Sequence, residues 1–468
     1  MASPPRDRRI LGVGVALACA GFALPWLDET RQLNAWLYLV ATSLLTFELL
    51  DIAARYWLGT LVAAKAGAMA PPRPAALGEV ARPFAIALSV RNLKARALPV
   101  LAALAPYKTH VWIIDDGSTD DTAAYLEFLG WRCLRAETNR KKPGAIKALL
   151  KRLPHEIATV LVLDPDCELL SSGAHRMSDL EHAVLKFQQS GAAACCPRVR
   201  IREGNALTAF QLLEVELAFL LGRKSLSPHC ITTGASLYER AALEGALEQH
   251  SLSVYAEDLE NTLIILEQGR AILYDDELVL TTEGKHTLRG WFSQRVGWSF
   301  GLIRVFAQRW RSVARVARFG PWCFYNFVVY LGLLSIALFP LKLAGTLLFA
   351  VSFANALDTL FFLDLVPEHA FTDPRYFTVT YSAYALLCAC FHVYARPPVR
   401  FPTAVTAVVF YPFYAIAHTA AMAVGYLNWL SFCAIGRRIY RDHYAASMGY
   451  EDEPLIGGLA APGPGAAR

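Results

Sequence analysis

The stretch VWIIDDGSTDDT, residues 111–122, decides the fold. Its first four residues are β-branched or aromatic, the composition of a strand, and the run stops at Asp115 and Asp116, followed by Gly117, Ser118 and Thr119. An Asp-Gly turn after an apolar run is ordinary by itself, so a solvated loop accounts for the stretch in isolation. A second strand ends the same way. TVLVLDPDCEL, residues 159–169, sets Asp164 and Asp166 on either side of Pro165, which has no N–H to give to a sheet and so marks the strand's end. In an open α/β sheet, ligands bind in the crevice outside the carboxyl ends of the strands. Two carboxylates placed there reach one cation together, and Mg²⁺ takes one or two carboxylates plus phosphate oxygens and water.

Outward from these turns, residues 84–283 alternate short β-type runs (FAIALSV, HVWIID, TVLVLD, GAAACC, AILYDD) with amphipathic helical stretches. That alternation predicts a Rossmann-like, mostly parallel α/β sheet of ordinary domain size. A third acidic pair, Glu257 and Asp258, opens the helical run AEDLENTLIILEQG. Carboxylates at a helix start are also common caps, and that reading stays open for this pair.

The flanks differ in kind. The chain is 55% hydrophobic with a mean hydropathy of +0.32, too apolar for a purely soluble protein of 468 residues. A net charge of +5 is mild for that length and gives no reason to expect a nucleic-acid partner. Residues 10–26 and 34–58 are apolar runs of spanning length, and residues 1–63 read as a transmembrane hairpin rather than a signal peptide. Basic residues before and after the hairpin place both its ends, and the domain beyond, on the cytoplasmic side. Glu48 and Asp51 lie in or near the second span, with an interfacial position the simpler account of Asp51. Residues 64–83 are an Ala/Pro/Gly tether. Residues 284–319 are basic and aromatic, as suits helices in a membrane interface. Apolar runs at 322–340, 343–362, 377–393 and 403–430 predict about four further spans within 320–435. The basic ARPPVR loop opposes four simple crossings, leaving a re-entrant segment or an odd number of spans. Residues 436–468 form a Gly/Pro/Ala-rich, largely disordered cytoplasmic tail. The ten cysteines include no CxxC pair and read as reduced thiols.

In this order, DDGS, the basic NRKKPGAIKALL segment, DxD, the Gly-Ala turn of TTGASLYER, the Glu-Asp pair and QRVGW resemble the family 2 glycosyltransferases. The closest likeness is to their membrane-embedded branch of cellulose, chitin, hyaluronan and poly-N-acetylglucosamine synthases. The resemblance implies a GT-A-type cytoplasmic domain inserted between transmembrane helices of a bacterial-type inner membrane. It implies an inverting, metal-dependent hexosyltransferase that moves sugar from a UDP-sugar to a growing β-linked polysaccharide. By the same resemblance Asp115, Asp116, Lys142, Gly144 and Asp164 bind the nucleotide sugar, and Asp164 and Asp166 hold Mg²⁺ or Mn²⁺ on the diphosphate. Gly234 and Ala235, with Gln294, Arg295 and Trp298, line the acceptor site. Asp258 is the catalytic base, with Glu257 beside it to raise its pKa. A solvated basic turn is the alternative for Lys142. The chain departs from the family's QxxRW pattern, because Gly297 stands at the arginine position. Arg295 is about 200° round a helix from Gly297 and is no simple substitute, leaving Lys142, Arg295 or Arg304 to compensate. Three outcomes stay open: a polysaccharide synthase coupled to export, an enzyme adding one sugar to a lipid carrier, and a degenerate non-catalytic assembly or export subunit. The expected partners are the UDP-sugar donor, a polysaccharide or lipid-linked acceptor, the lipid bilayer, and export or assembly subunits.

Overall fold

The computed structural model describes residues 55, 82–93, 98–170, 178–347, 350, 354 and 401–442. The expected hairpin apart from Arg55, residues 64–81 of the tether, the 377–393 span and residues 443–468 of the tail lie outside the described residues.

By its contacts the chain divides into two units, one of Ile52–Lys285 with Val305–Val328, the other of Met1–Asp51, His286–Arg304 and Val329–Arg468. The first contains β1 (Phe84–Val90), α1 (Leu98–Leu104), β2 (Val111–Asp115), α2 (Thr122–Phe128), β3 (Cys133–Arg135), α3 (Lys141–Leu150), β4 (Thr159–Leu163), β5 (Cys167–Leu170) and α4 (Asp179–Ser190). It continues with β6 (Ala194–Ile201), α5 (Ala206–Leu217), β7 (Ser236–Glu239), α6 (Arg240–Gln249), α7 (Glu257–Glu267) and β8 (Ile272–Thr282). The eight strands form one sheet in the order β3-β2-β1-β4-β7-β6-β8-β5.

Strands β1 and β4 are the centre. Every residue of TVLVL and all but Ser89 of FAIALSV are buried, as a parallel strand covered on both faces requires. They pair in parallel from Phe84↔Thr159 to Leu88↔Leu163, and β1 pairs in parallel with β2 from Ile86↔Val111 to Val90↔Asp115. This register brings the carboxyl ends of β2 and β4 to the same edge, on either side of β1. The expected sheet is therefore present, in mixed form: β7 enters antiparallel to both β4 and β6, and β5 is antiparallel to β8. Helix boundaries follow local chemistry. Ser178 and Glu181 form a reciprocal cap that starts α4, and the Asn205 side chain accepts the Thr208 amide to start α5.

Helix α8 (Leu288–Gln308) enters the second unit, where it packs on α10 (Phe401–Ile435). Trp291 Nε1 donates to Tyr414 Oη at 2.8 Å, and Phe300 meets Phe432 edge to face. Gly425 lets the two helices approach: a Cβ there would lie 2.6 Å from Ser299 Cβ. Between these helices in sequence, α9 (Trp310–Val316) belongs to the first unit. Among the described residues no single helix is long and apolar enough to cross a membrane. One pair bent by 55°, Pro321–Ala337 and Phe339–Leu347, passes that test by length and composition.

Candidate functional site

Three aspartates of the 111–122 stretch divide between two jobs. Asp120 is structural: its carboxylate accepts the Thr122 amide at 3.0 Å and the Thr122 hydroxyl at 2.5 Å, opening α2. Asp115 and Asp116 are buried. Asp115 Oδ1 accepts the Ser118 amide at 3.0 Å and its hydroxyl, while Asp115 Oδ2 is a buried oxygen with no hydrogen-bond partner. Arg135 Nε, on an exposed side chain, stands 3.9 Å away. Asp116 Oδ1 accepts the Arg140 amide at 2.7 Å. Burial raises the Asp116 pKa, an effect that this amide and the Arg91 charge partly offset. Gly117 is the tight point of the turn. Its φ is +70°, and a Cβ would lie 2.8 Å from Asn139 N and Thr138 C, so the turn packs against the segment leading to α3.

That segment delivers Lys142 at the start of α3. Its ammonium, on a side chain only 12% exposed, donates to Asp164 Oδ1 at 2.5 Å, Gly234 O at 2.9 Å and Glu257 Oε1 at 3.3 Å. One cation thus gathers the end of β4, the loop before β7 and the start of α7. Burial alone would lower its pKa, but Asp164 and Glu257 outweigh that and raise it, so Lys142 is permanently charged here. Glu257 is pushed up to about 7 by burial and by the neighbouring Asp258 and Asp164 charges, with Lys142 opposing. Burial likewise raises Asp258, against the pull of Arg223 and the Leu259 amide. The Asp258 backbone is fixed from two sides, since the hydroxyls of Thr232 and Thr262 each donate to its carbonyl at 2.9 Å.

Gly234 is required by closeness rather than by turn geometry. A Cβ on it would lie 2.1 Å from Asp164 Oδ2 and 2.9 Å from Lys142 Nζ. Ala235 behind it is buried. Gly144 is buried within α3, where a Cβ would approach only Arg140 Cβ, at 3.0 Å. Lys142, Gly234, Glu257 and Asp258 line one pocket, with Tyr238 and Asn261 among its walls.

Asp164 and Asp166 bring ligand atoms within 4.8 Å of one another and of Cys167 Sγ. Asp166 opens to solvent, yet the protein mass around it strips part of its hydration and, with Asp164, raises its pKa. Burial drives the Cys167 thiol well above its ordinary value, so it stays protonated and points its S–H at Asp166, 3.8 Å away. The hard donors are the two carboxylates, a set that suits Mg²⁺ or Mn²⁺.

Gln294, Arg295 and Trp298 belong to the part of α8 in the other unit. Arg295 is buried, stacks with its Cζ 4.1 Å over the Trp298 ring and donates to Gln294 Oε1 at 2.6 Å. The sequence pattern did not single out Cys167, Thr232, Thr262 or Arg223. Only Cys167, directly after the DxD, carried a positional signal.

The Glycosyl transferase family 2 model matches residues 87–246. Those residues are a family 2 glycosyltransferase domain of GT-A-like fold, and by that domain the chain is a glycosyltransferase; Glu257, Asp258 and β8 lie beyond the matched residues. Among solved structures, the chain is similar to the mannosyltransferase PcManGT of Pyrobaculum calidifontis, solved in complex with GDP-Man and Mn²⁺. That match has a TM-score of 0.52 and 17% identity over 84% of this chain and 99% of that one. Glucosyl-3-phosphoglycerate synthase of Mycobacterium tuberculosis, in complex with phosphoglyceric acid, matches at a TM-score of 0.34 and 17% identity over 48% of this chain and 79% of that one. No curated protein matches the chain.

Proposed function

We propose that the chain is a membrane-bound, inverting glycosyltransferase that passes sugar from a UDP-sugar to a β-linked polysaccharide at the cytoplasmic face of a bacterial-type inner membrane. The observation that carries the reading is the convergence of Asp164, Gly234 and Glu257 on Lys142, beside Asp258 in the same pocket. A half-buried acidic pair held beside a lysine in one pocket is the arrangement a proton-transfer site needs, and it favours a catalytic chain over a non-catalytic subunit.

Asp115, whose Oδ2 has no hydrogen-bond partner, is the residue we assign to accept an N–H from the nucleobase. Lys142 is placed to bear on the donor's anionic diphosphate. Asp164 and Asp166 fit a divalent ion by donor type and spacing, and the Mn²⁺ of the PcManGT complex agrees with that fit. Such an ion would add positive charge where the leaving diphosphate develops its negative charge. Asp258 takes the acceptor hydroxyl's proton as that oxygen bonds to the anomeric carbon. The bond from that carbon to the diphosphate oxygen breaks, its electron pair leaving with UDP, and a single displacement inverts the centre. Burial keeps Asp258 more basic than an exposed aspartate, which strengthens it as a base.

Transfer of one sugar to a lipid carrier is a second reading. It is favoured by Arg295, which packs on Trp298 and Gln294 in its own unit while Gly297 leaves the family's arginine position empty. Membrane attachment draws support from the apolar flanks and from Trp310, Phe319 and Phe324, which are exposed beside Arg311 and Arg318.

The test is nucleoside diphosphate release from a panel of UDP- and GDP-sugars by membranes holding the full chain, with and without chelator. Asp258→Asn serves as the control. Release from a UDP-sugar that needs both metal and Asp258 supports the reading, and product length then separates polymer from single transfer. Release from GDP-sugars alone overturns the donor assignment, and metal-dependent release undiminished in Asp258→Asn overturns the base.

A further inference from the structure

The loop that delivers Glu257 and Asp258 is held in an unfavourable backbone shape. Leu252 has φ +57° and Ala256, directly before Glu257, has φ +52°; neither is a glycine. Side chains rarely occupy that left-handed region unless their surroundings impose it. The surroundings here are a buried polar group. His250, whose side chain is fully buried, accepts the Leu252 amide on Nδ1 at 2.8 Å, so its ring proton sits on Nε2. Nε2 then donates to the Glu257 carbonyl at 3.2 Å. Behind it, the buried carboxylate of Glu260 accepts the Ser251 amide at 3.0 Å and hydroxyl at 2.6 Å, with His250 Nε2 at 3.5 Å. The cation for Glu260 comes from a distant part of the chain. Arg309, the residue before α9, donates from Nη2 at 2.8 Å and from Nε at 3.1 Å to Oε1, and also caps the Gln249 carbonyl. Burial opposes ionisation of Glu260, but the hydrogen bonds from Ser251 and Arg309 work against it and the carboxyl lies below its ordinary range.

We infer that Glu260, His250 and Arg309 are positioning residues for the acidic pair. Arg309 locks Glu260, Glu260 and His250 lock the 250–256 loop, and the loop fixes where α7 starts and therefore where Asp258 points. The inference rests on Asp258 acting as the base. None of the three residues lines the pocket that Lys142 and Asp258 share, so they act through the backbone rather than on substrate.

The experiment measures turnover and donor KM of the full chain in membranes for Arg309→Ala, Arg309→Lys, Glu260→Gln and the Arg309→Ala/Glu260→Gln double variant. Thermal unfolding is followed on each. Misplacing a reacting group by about 1 Å costs up to about 100-fold in rate. The expected result is a kcat loss of about 10- to 100-fold in Arg309→Ala with donor KM within about twofold of wild type. Arg309→Lys should recover part of that loss, and the double variant should be no worse than the poorer single one. Wild-type kcat in folded Arg309→Ala and Glu260→Gln, or losses that multiply in the double variant, would overturn the inference. Absence of turnover in the wild type would instead count against the transferase reading itself, so the two failures are distinct.

Discussion

Gly234→Ala is the sharpest test of the site's geometry. The added methyl would lie 2.1 Å from Asp164 Oδ2, about 1.3 Å inside the 3.4 Å at which ordinary contact begins. The atom it meets is the end of a side chain, so the carboxylate can rotate away and the fold survives. Overpacking costs about 1–3 kcal/mol, and the low end applies where the neighbour can turn aside. Rotation breaks the 2.5 Å bond from Lys142 to Asp164 Oδ1 and carries that carboxylate out of register with Asp166. A displacement of about 1 Å in a group that positions the donor costs about 100-fold in rate, or about 2.7 kcal/mol in the barrier. The assay is nucleoside diphosphate release against donor and Mn²⁺ concentration, with unfolding temperature measured alongside. Gly234→Ala should unfold within a few degrees of wild type yet lose about two orders of magnitude in kcat/KM and need more metal. Wild-type turnover and metal dependence in this variant would refute the argument that Gly234 exists to admit Asp164.

Lys142→Met should destabilise the chain by about 3 kcal/mol and abolish turnover, because Asp164 and Glu257 lose their shared cation in a half-dry site; denaturant unfolding and donor binding check both parts. Glu257 holds its proton more tightly folded, at about 7, than at its ordinary 4.5. Its contribution to stability is therefore complete below about 4.5 and is lost as pH rises through 7. In chelator, wild-type unfolding temperature should fall across that window, and Glu257→Gln should flatten the fall. Glu216 is buried between Arg198 Nη2 at 2.7 Å and Arg200 Nε at 2.5 Å. Glu216→Ala should cost about 3–5 kcal/mol by stranding two buried guanidinium groups, read from a lower urea midpoint.

The sheet's parallel centre was legible because β1, β2 and β4 are short, mostly apolar runs, two of which stop at carboxylates. Strands β3, β5 and β7 are three or four residues long, too short to establish a period, and β7 hides within TTGASLYER behind a glycine. Its antiparallel entry is set by what flanks it in space rather than by its own residues. The site was legible as residue types: each of the three acidic pairs falls at the end of a strand or the start of a helix, where the sequence pattern places it. The partnerships were not. Lys142 reaches groups 22, 92 and 115 residues away, and no local spacing announces which lysine of a basic turn will be buried. Gly234 reads as a turn glycine, whereas its cause is the carboxylate pressed against it. Arg309 and Glu260 lie 49 residues apart, Glu260 on a helix its own pattern explains as amphipathic and Arg309 at the junction of two others.

The strand order carries a consequence for how the chain is made. Strand β1 finds its β4 neighbour 75 positions later, β4 in turn waits for Glu239, and the sheet is complete only when Thr282 has been added at the edge that pairs with Cys167. No two neighbouring strands are joined by a tight hairpin that could form early, so loop-closure entropy is spent over long separations before contacts repay it. At synthesis rates of about 5–20 residues per second, β1 waits about 4–15 s for β4 and β4 about 4–16 s for β7. Strands β1 and β4 are also its most apolar segments, so the interval between translating Phe84 and Thr282 is when this protein is most exposed to misassembly and most dependent on whatever shields nascent chains.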